Sequence, residues 1–160
     1  MKRHSLRIYA DTSVFGGAFD AEFRSVTRTF FDQVRDGHFI LVISAVVRRE
    51  LSAAPPKVRR LYQEMLTLTE GVVAGEEALR LAAAYVKARI VTPKSSDDAL
   101  HVALATVSGC SAIVSWNFRH IVHFQKIPLY NAVNAVQGYR AINICSPSEV
   151  IEYADEDQDI

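Results

Sequence analysis

Two aspartates, Asp97 and Asp98, stand side by side at the head of an apolar stretch, KSSDDALHVALATVSGCSAIVSWN (94–117). Two further acids hold comparable positions. Asp11 follows the apolar run LRIYA, and Glu50 lies shortly after FILVI. Three carboxylates drawn to one place would repel. At about 5 Å each unneutralised pair costs roughly 3 kcal/mol at an effective dielectric of about 20. A divalent cation relieves that repulsion, and so do protons. No His/Cys set accompanies these acids, and oxygen-only ligation favours Mg²⁺ or Mn²⁺ over zinc. A hard cation held by carboxylates polarises a phosphoryl oxygen and generates hydroxide from water, which is the chemistry of phosphodiester hydrolysis. Each acid also has a plainer reading. Asp97 and Asp98 suit a helix N-terminus, Asp11 suits a turn, and Glu50 can pair with its neighbours Arg48 and Arg49.

The elements that would position these residues follow from periodicity. Leu100, Ala103, Leu104 and Val107 form a helical stripe, and Val102 and Ala105 extend it, so this helix is expected to be covered on most faces. Ser95 is the candidate N-cap, with Asp98 completing a capping box, and Gly109 can end the helix in a left-handed conformation. Ser111–Trp116 reads as a strand buried on both faces. Leu6–Ala10 and Phe39–Ile43 read as earlier strands, and Ala141–Cys145 as the last. Thr67–Ala74 is extended or loop. Helices are expected after Ser25, after Ser44, from Pro56 (stripe Val58, Leu61, Tyr62, Met65) and over Gly75–Arg89 (stripe Ala78, Leu81, Ala82, Tyr85). Another starts near Pro128 with Leu129, Ala132, Val133 and Val136 inward. Ser146-Pro147-Ser148-Glu149 is a capping box with proline at the first helical position. Apolar strands alternating with helices predict a three-layer α/β/α sandwich around a mainly parallel sheet. Ligands of such sheets bind beyond the carboxyl ends of the strands. Asp11 and Asn117 lie at such ends, and Glu50 and Asp98 can reach them from helices.

The bulk numbers bound the class. A chain of 160 residues with 49% apolar and 22% charged content suits one domain. The domain is expected over residues 1–153, with 154–160 an acidic, disordered tail. No apolar run approaches membrane-spanning length, and the basic start MKRHSLRIYAD has too short an apolar segment for a secretory signal. Cys110 and Cys145 read as reduced thiols rather than a disulfide, which points to a cytoplasmic protein. Eighteen bases face 18 acids, but four of the acids fall in the tail, leaving 14 acids against 18 bases elsewhere. That surplus permits a phosphate-rich ligand without demanding one. His101 reads as a core or surface histidine rather than a catalytic one. His120, His123, Asn131 and Asn134 read as helix-surface or cleft residues, and Trp116 as core. No G-x-G-x-x-G follows a strand, which disfavours a dinucleotide site. No second acid accompanies Asp11, which disfavours a phosphatase or phospho-acceptor domain.

Four motifs together, D-T-S at 11–13, R-E-L at 49–51, D-D-A-L-H-x-A-x-A from Asp97 and V-S-W-N-F-R-H from Val114, resemble the PIN-domain family, in particular its VapC-like toxins. The resemblance runs from Leu6 to about Ile151. It implies a Mg²⁺- or Mn²⁺-dependent endoribonuclease, the toxin of a type II toxin–antitoxin module, with RNA as substrate, an antitoxin as partner and a homodimer as a further possibility. It implies Asp11, Glu50 and Asp98 as metal ligands. Asn117 takes the place of a fourth acid in the catalytic set, which puts a second metal in question. Thr12, Ser13 and Arg119 are the implied substrate contacts. A non-catalytic PIN-like module that binds RNA or protein is the alternative.

Overall fold

The computed structural model describes residues 5–154. The expected acidic tail lies outside them from residue 155 onward. Five strands form one sheet: β1 (Leu6–Ala10), β2 (Phe39–Ser44), β3 (Thr69–Val72), β4 (Ala112–Val114) and β5 (Asn143–Cys145). Their order is β3-β2-β1-β4-β5 and every pairing is parallel. Eight α-helices complete the described chain: α1 (Thr12–Gly17), α2 (Arg24–Arg35), α3 (Ala45–Leu51), α4 (Pro56–Met65), α5 (Glu76–Lys87), α6 (Ser96–Val107), α7 (Ile127–Val136) and α8 (Pro147–Val150).

Strand parity sorts the core into two layers. Ile8, Leu41, Ile43 and Val114 face one side, where they pack with α1, α2 and α4. Tyr9, Val42, Ile113 and Ile144 face the other, against α5, α6 and Tyr130 of α7. Successive strand residues point to opposite faces, so these short apolar strands must be covered twice. This is the expected three-layer sandwich. Helix α6 is buried along Ala99–Thr106, and Gly109 ends it at φ 71°. No helix among the described residues is long and apolar enough to cross a membrane. Both cysteines are free thiols.

Three local expectations are corrected. Ser25 lies inside α2, which starts from Phe23, and Ser95 makes no side-chain cap to α6. The Thr67–Ala74 segment, expected to be extended or loop, is extended over β3, whose backbone completes the edge beside β2. Helix α7 turns a different face inward: Tyr130 and Asn134 are buried, whereas Leu129 and Val136 are 50% and 82% exposed. The reason is polar anchoring. The Tyr85 hydroxyl donates to Asn134 Oδ1, the Tyr85 and Tyr130 rings meet edge-on at 4.8 Å, and Asn131 bonds Ile142 N–H at 2.8 Å and C=O at 3.0 Å. A buried amide with partners outranks an apolar stripe read from spacing alone. Asn131 and Asn134 are therefore structural anchors, not cleft residues. Tyr85→Phe strands the Asn134 oxygen, and chemical denaturation should report a loss of about 1–3 kcal/mol.

Candidate metal centre

The strand order reverses beside β1: the chain moves outward through β2 and β3, then returns to place β4 on the other flank. Such a switch point opens a crevice at the carboxyl ends of β1 and β4. Asp11 follows β1 there and is 4% exposed. Its two oxygens accept from Ser13 Oγ at 2.6 Å and Ser115 Oγ at 2.8 Å. Those hydroxyls in turn accept from backbone, Ser13 from Trp116 N–H and Ser115 from Asn117 N–H, both at 2.9 Å. Each serine thus has its proton directed onto Asp11, and the carboxylate is held rigidly by the β4 exit.

Glu50 reaches the same crevice from α3, a helix capped by Ser44, whose hydroxyl accepts from Val47 N–H at 3.4 Å. Glu50 Oε1 accepts from Thr12 Oγ1 at 2.9 Å and from His101 Nε2 at 2.5 Å. His101 is 1% exposed. Its Nδ1 lies 2.7 Å from the Tyr9 hydroxyl, itself 2.7 Å from Ser44 Oγ. A hydrogen-bonded chain therefore runs from Ser44 through Tyr9 and His101 to Glu50. Asp98 sits in the first turn of α6, one helical turn before His101. The Asn117 side chain lies near the Asp98 carboxylate and favours its charged form. The Asn117 Oδ1 accepts from Arg119 N–H at 3.1 Å and His120 N–H at 2.9 Å. Asp97 turns outward to Arg49, 3.0 Å away.

The fold has relatives among solved structures. VapBC2 from Rickettsia felis, bound to a DNA fragment from their promoter, is 14% identical, with a TM-score of 0.55 over 77% of this chain and 94% of the matched one. FitAcB from Neisseria gonorrhoeae is 14% identical, with a TM-score of 0.56 over 89% and 99%. The chain has a PIN-like fold. No protein-family model and no curated protein matches the sequence.

The charges of this PIN-like crevice explain one another. Burial raises the Asp11 carboxyl above the ordinary range, and Asp98 adds to the rise. Burial and the nearby Glu50 raise Asp98 likewise. Burial pushes Glu50 the same way, but the bond from His101 and its charge prevail and hold Glu50 below the usual range. Burial would lower His101, yet the Glu50 bond and the charges of Asp11, Glu50 and Asp98 raise it. The buried His101 imidazole thus faces three carboxyl groups, with His120 also near Asp98, and a cluster so rich in carboxylates suits a divalent cation. The carboxylate donors are oxygen-only, which favours Mg²⁺ or Mn²⁺ over zinc.

The expected convergence is corrected in one respect. Among the described residues, no three His, Cys, Asp or Glu side chains form a ready cage for one ion. Glu50 is drawn onto Thr12 and His101, and Asp11 is pinned by two serines. The residues implied as substrate contacts have partners of their own or lie open. Thr12 and Ser13 are occupied with Glu50 and Asp11. The Asn117 oxygen is engaged by two backbone N–H groups, so this residue fixes the following turn. Arg119 remains exposed. Sequence reasoning passed over Tyr9, Ser44, Ser115 and the role of His101. The signals were there: Tyr9 shares strand parity with Asp11, and His101 is three residues from Asp98.

Trp116 is half-buried rather than core. It stacks on Phe23 and donates from Nε1 to Thr27 Oγ1 at 2.9 Å. Gly17 makes room for it, since a Cβ there would lie 2.7 Å from the indole Cδ1 and Nε1. Gly17→Ala displaces Trp116, and thermal unfolding should register about 1–3 kcal/mol of destabilisation.

Proposed function

We propose that this PIN-like protein is a Mg²⁺- or Mn²⁺-dependent endoribonuclease. The observation that supports it best is the excess of carboxylates, Asp11, Glu50 and Asp98, around the single buried imidazole of His101 at the switch point of the sheet. Those three acids would hold the cation, which when bound polarises the phosphoryl oxygen and acidifies the attacking water. The chain's own groups do the positioning. Ser13 and Ser115 orient Asp11, Thr12 and His101 orient Glu50, and Asn117 lies near Asp98. Arg119 stands ready for a phosphate of the substrate.

The narrower reading, a cytoplasmic type II toxin restrained by an antitoxin and able to form a homodimer, rests on the resemblance of the motifs. The promoter-bound complex described for VapBC2 is compatible with it. The test is cleavage of a structured RNA pool with Mg²⁺, Mn²⁺ or EDTA. Metal-dependent cleavage supports the nuclease; a folded protein that binds RNA and never cleaves it is a binding module instead. The missing three-ligand cage is the observation that favours that second reading. On the nuclease reading, His101→Gln removes the group that orients Glu50. Initial-rate assays should then show a loss of about 10–100-fold, the usual effect of losing a ligand's supporting partner.

A further inference from the structure

We propose that Phe118, with Phe23 and Trp116 beneath it, is a stacking platform for an unpaired nucleobase next to the scissile phosphate. The inference rests on the nuclease reading for its substrate and adds the strandedness of that substrate. Phe23 and Trp116 stack with centroids 4.3 Å apart and planes 17° from parallel. Phe118 leans on both, at 6.2 Å from Phe23 and 6.1 Å from Trp116. It nevertheless stays 47% exposed. A phenylalanine this open, braced by two rings, offers a rigid aromatic face to something planar.

Its location names the occupant. Phe118 follows Asn117, whose side chain lies near Asp98. The turn after it is fixed by bonds to Asn117: Arg119 and His120 N–H to its Oδ1, and Ile121 and Val122 N–H to its carbonyl at 3.3 and 2.9 Å. The same turn carries Arg119, exposed and without an ion pair among the described residues. An aromatic face beside an unpaired guanidinium complements a base and its phosphate. Bases within a duplex have their faces covered by neighbours, so the platform selects single-stranded or looped RNA. The amide at 117 thus has a use that a fourth acid would not serve: it fixes the presenting turn without adding negative charge beside an incoming phosphate.

The experiment is binding without metal, so that no cleavage intervenes. A labelled single-stranded RNA hexamer in EDTA is titrated with wild-type protein, Phe118→Leu and Phe118→Trp, beside an abasic hexamer and a six-base-pair RNA duplex. Phe118→Leu retains an apolar contact with Trp116 but not the ring. The hexamer is expected to bind the leucine variant about 5–20-fold more weakly, the scale of one base–aromatic stack. Phe118→Trp should restore affinity. The abasic strand should bind weakly and be indifferent to residue 118. Emission from Trp116, the chain's single tryptophan, should change with the hexamer and not with the abasic strand. Equal affinities for the base-bearing and abasic strands, tighter binding of the duplex, or no effect of Phe118→Leu would each overturn the platform. No binding by the wild-type protein would overturn it too. Cleavage is read separately: base-dependent binding without metal-dependent cleavage sinks the nuclease and leaves the platform, and the converse sinks the platform alone.

Discussion

Asp98→Asn should lower metal-dependent RNA cleavage on the order of 10²–10³-fold, the scale on which loss of one preorganised electrostatic contact to a transition state is felt. Asp98 is half-buried at the start of α6, faces Glu50 and Asp11 electrostatically, and lies near the Asn117 side chain. On the proposed nuclease reading, the substitution removes one of the three carboxylates that would hold the cation while changing side-chain volume very little. It leaves the apolar packing of Ala99–Thr106 untouched. Circular dichroism should therefore stay near wild type, and the unfolding midpoint in EDTA should not fall below it, while the rate collapses. Cleavage that survives the substitution would remove Asp98 from the site.

The second large effect is on stability. With Mg²⁺ or Mn²⁺ at about 100 times its Kd, the folded protein should gain about 2.7 kcal/mol. That is roughly 5–10 °C in Tm for a chain of this size. The gain should depend on pH, and its sign follows from the raised carboxyls of Asp11 and Asp98. In the metal-free protein these groups hold protons that the unfolded chain has already released. Their contribution to stability is complete below the ordinary carboxylate range and is lost as pH rises through their higher folded values. As pH rises above the ordinary carboxylate range, near pH ~4, metal-free wild type should therefore lose stability relative to Asp98→Asn, and added cation should reverse the difference. Parallel Tm-against-pH curves for the two proteins, or a cation shift equal in both, would contradict a shared cation site.

How much of this was legible depends on the range over which each feature is decided. Helices α4 and α5 carry unbroken apolar stripes, so spacing alone identified their buried residues. The stripe on α7 failed because that helix is held by Asn131 and Asn134, whose partners Ile142 and Tyr85 are distant in sequence. Strand β3 is TEGV, with no buried residue of its own; it is a strand because β2 offers it an edge. The acids were found because their types and their places after strands point to one chemistry. Their supporting groups were passed over because serine, tyrosine and threonine carry no such mark.

The sequence by itself determined the alternation of strands and helices, the two-sided burial of the sheet and the candidate acids Asp11, Glu50 and Asp98. Those features depend on local periodicity and residue chemistry, which a single chain segment displays. Only the tertiary structure decided that β1 lies between β2 and β4. That order sets Ser44, Asp11 and Ser115 in one row on the α5–α6 side of the sheet. It brings Ser115 to Asp11 across 104 residues, and His101 to Glu50 across 51. The directed hydroxyls, the buried imidazole and the raised carboxyls are consequences of that proximity, and proximity between remote segments is set by packing of the whole domain.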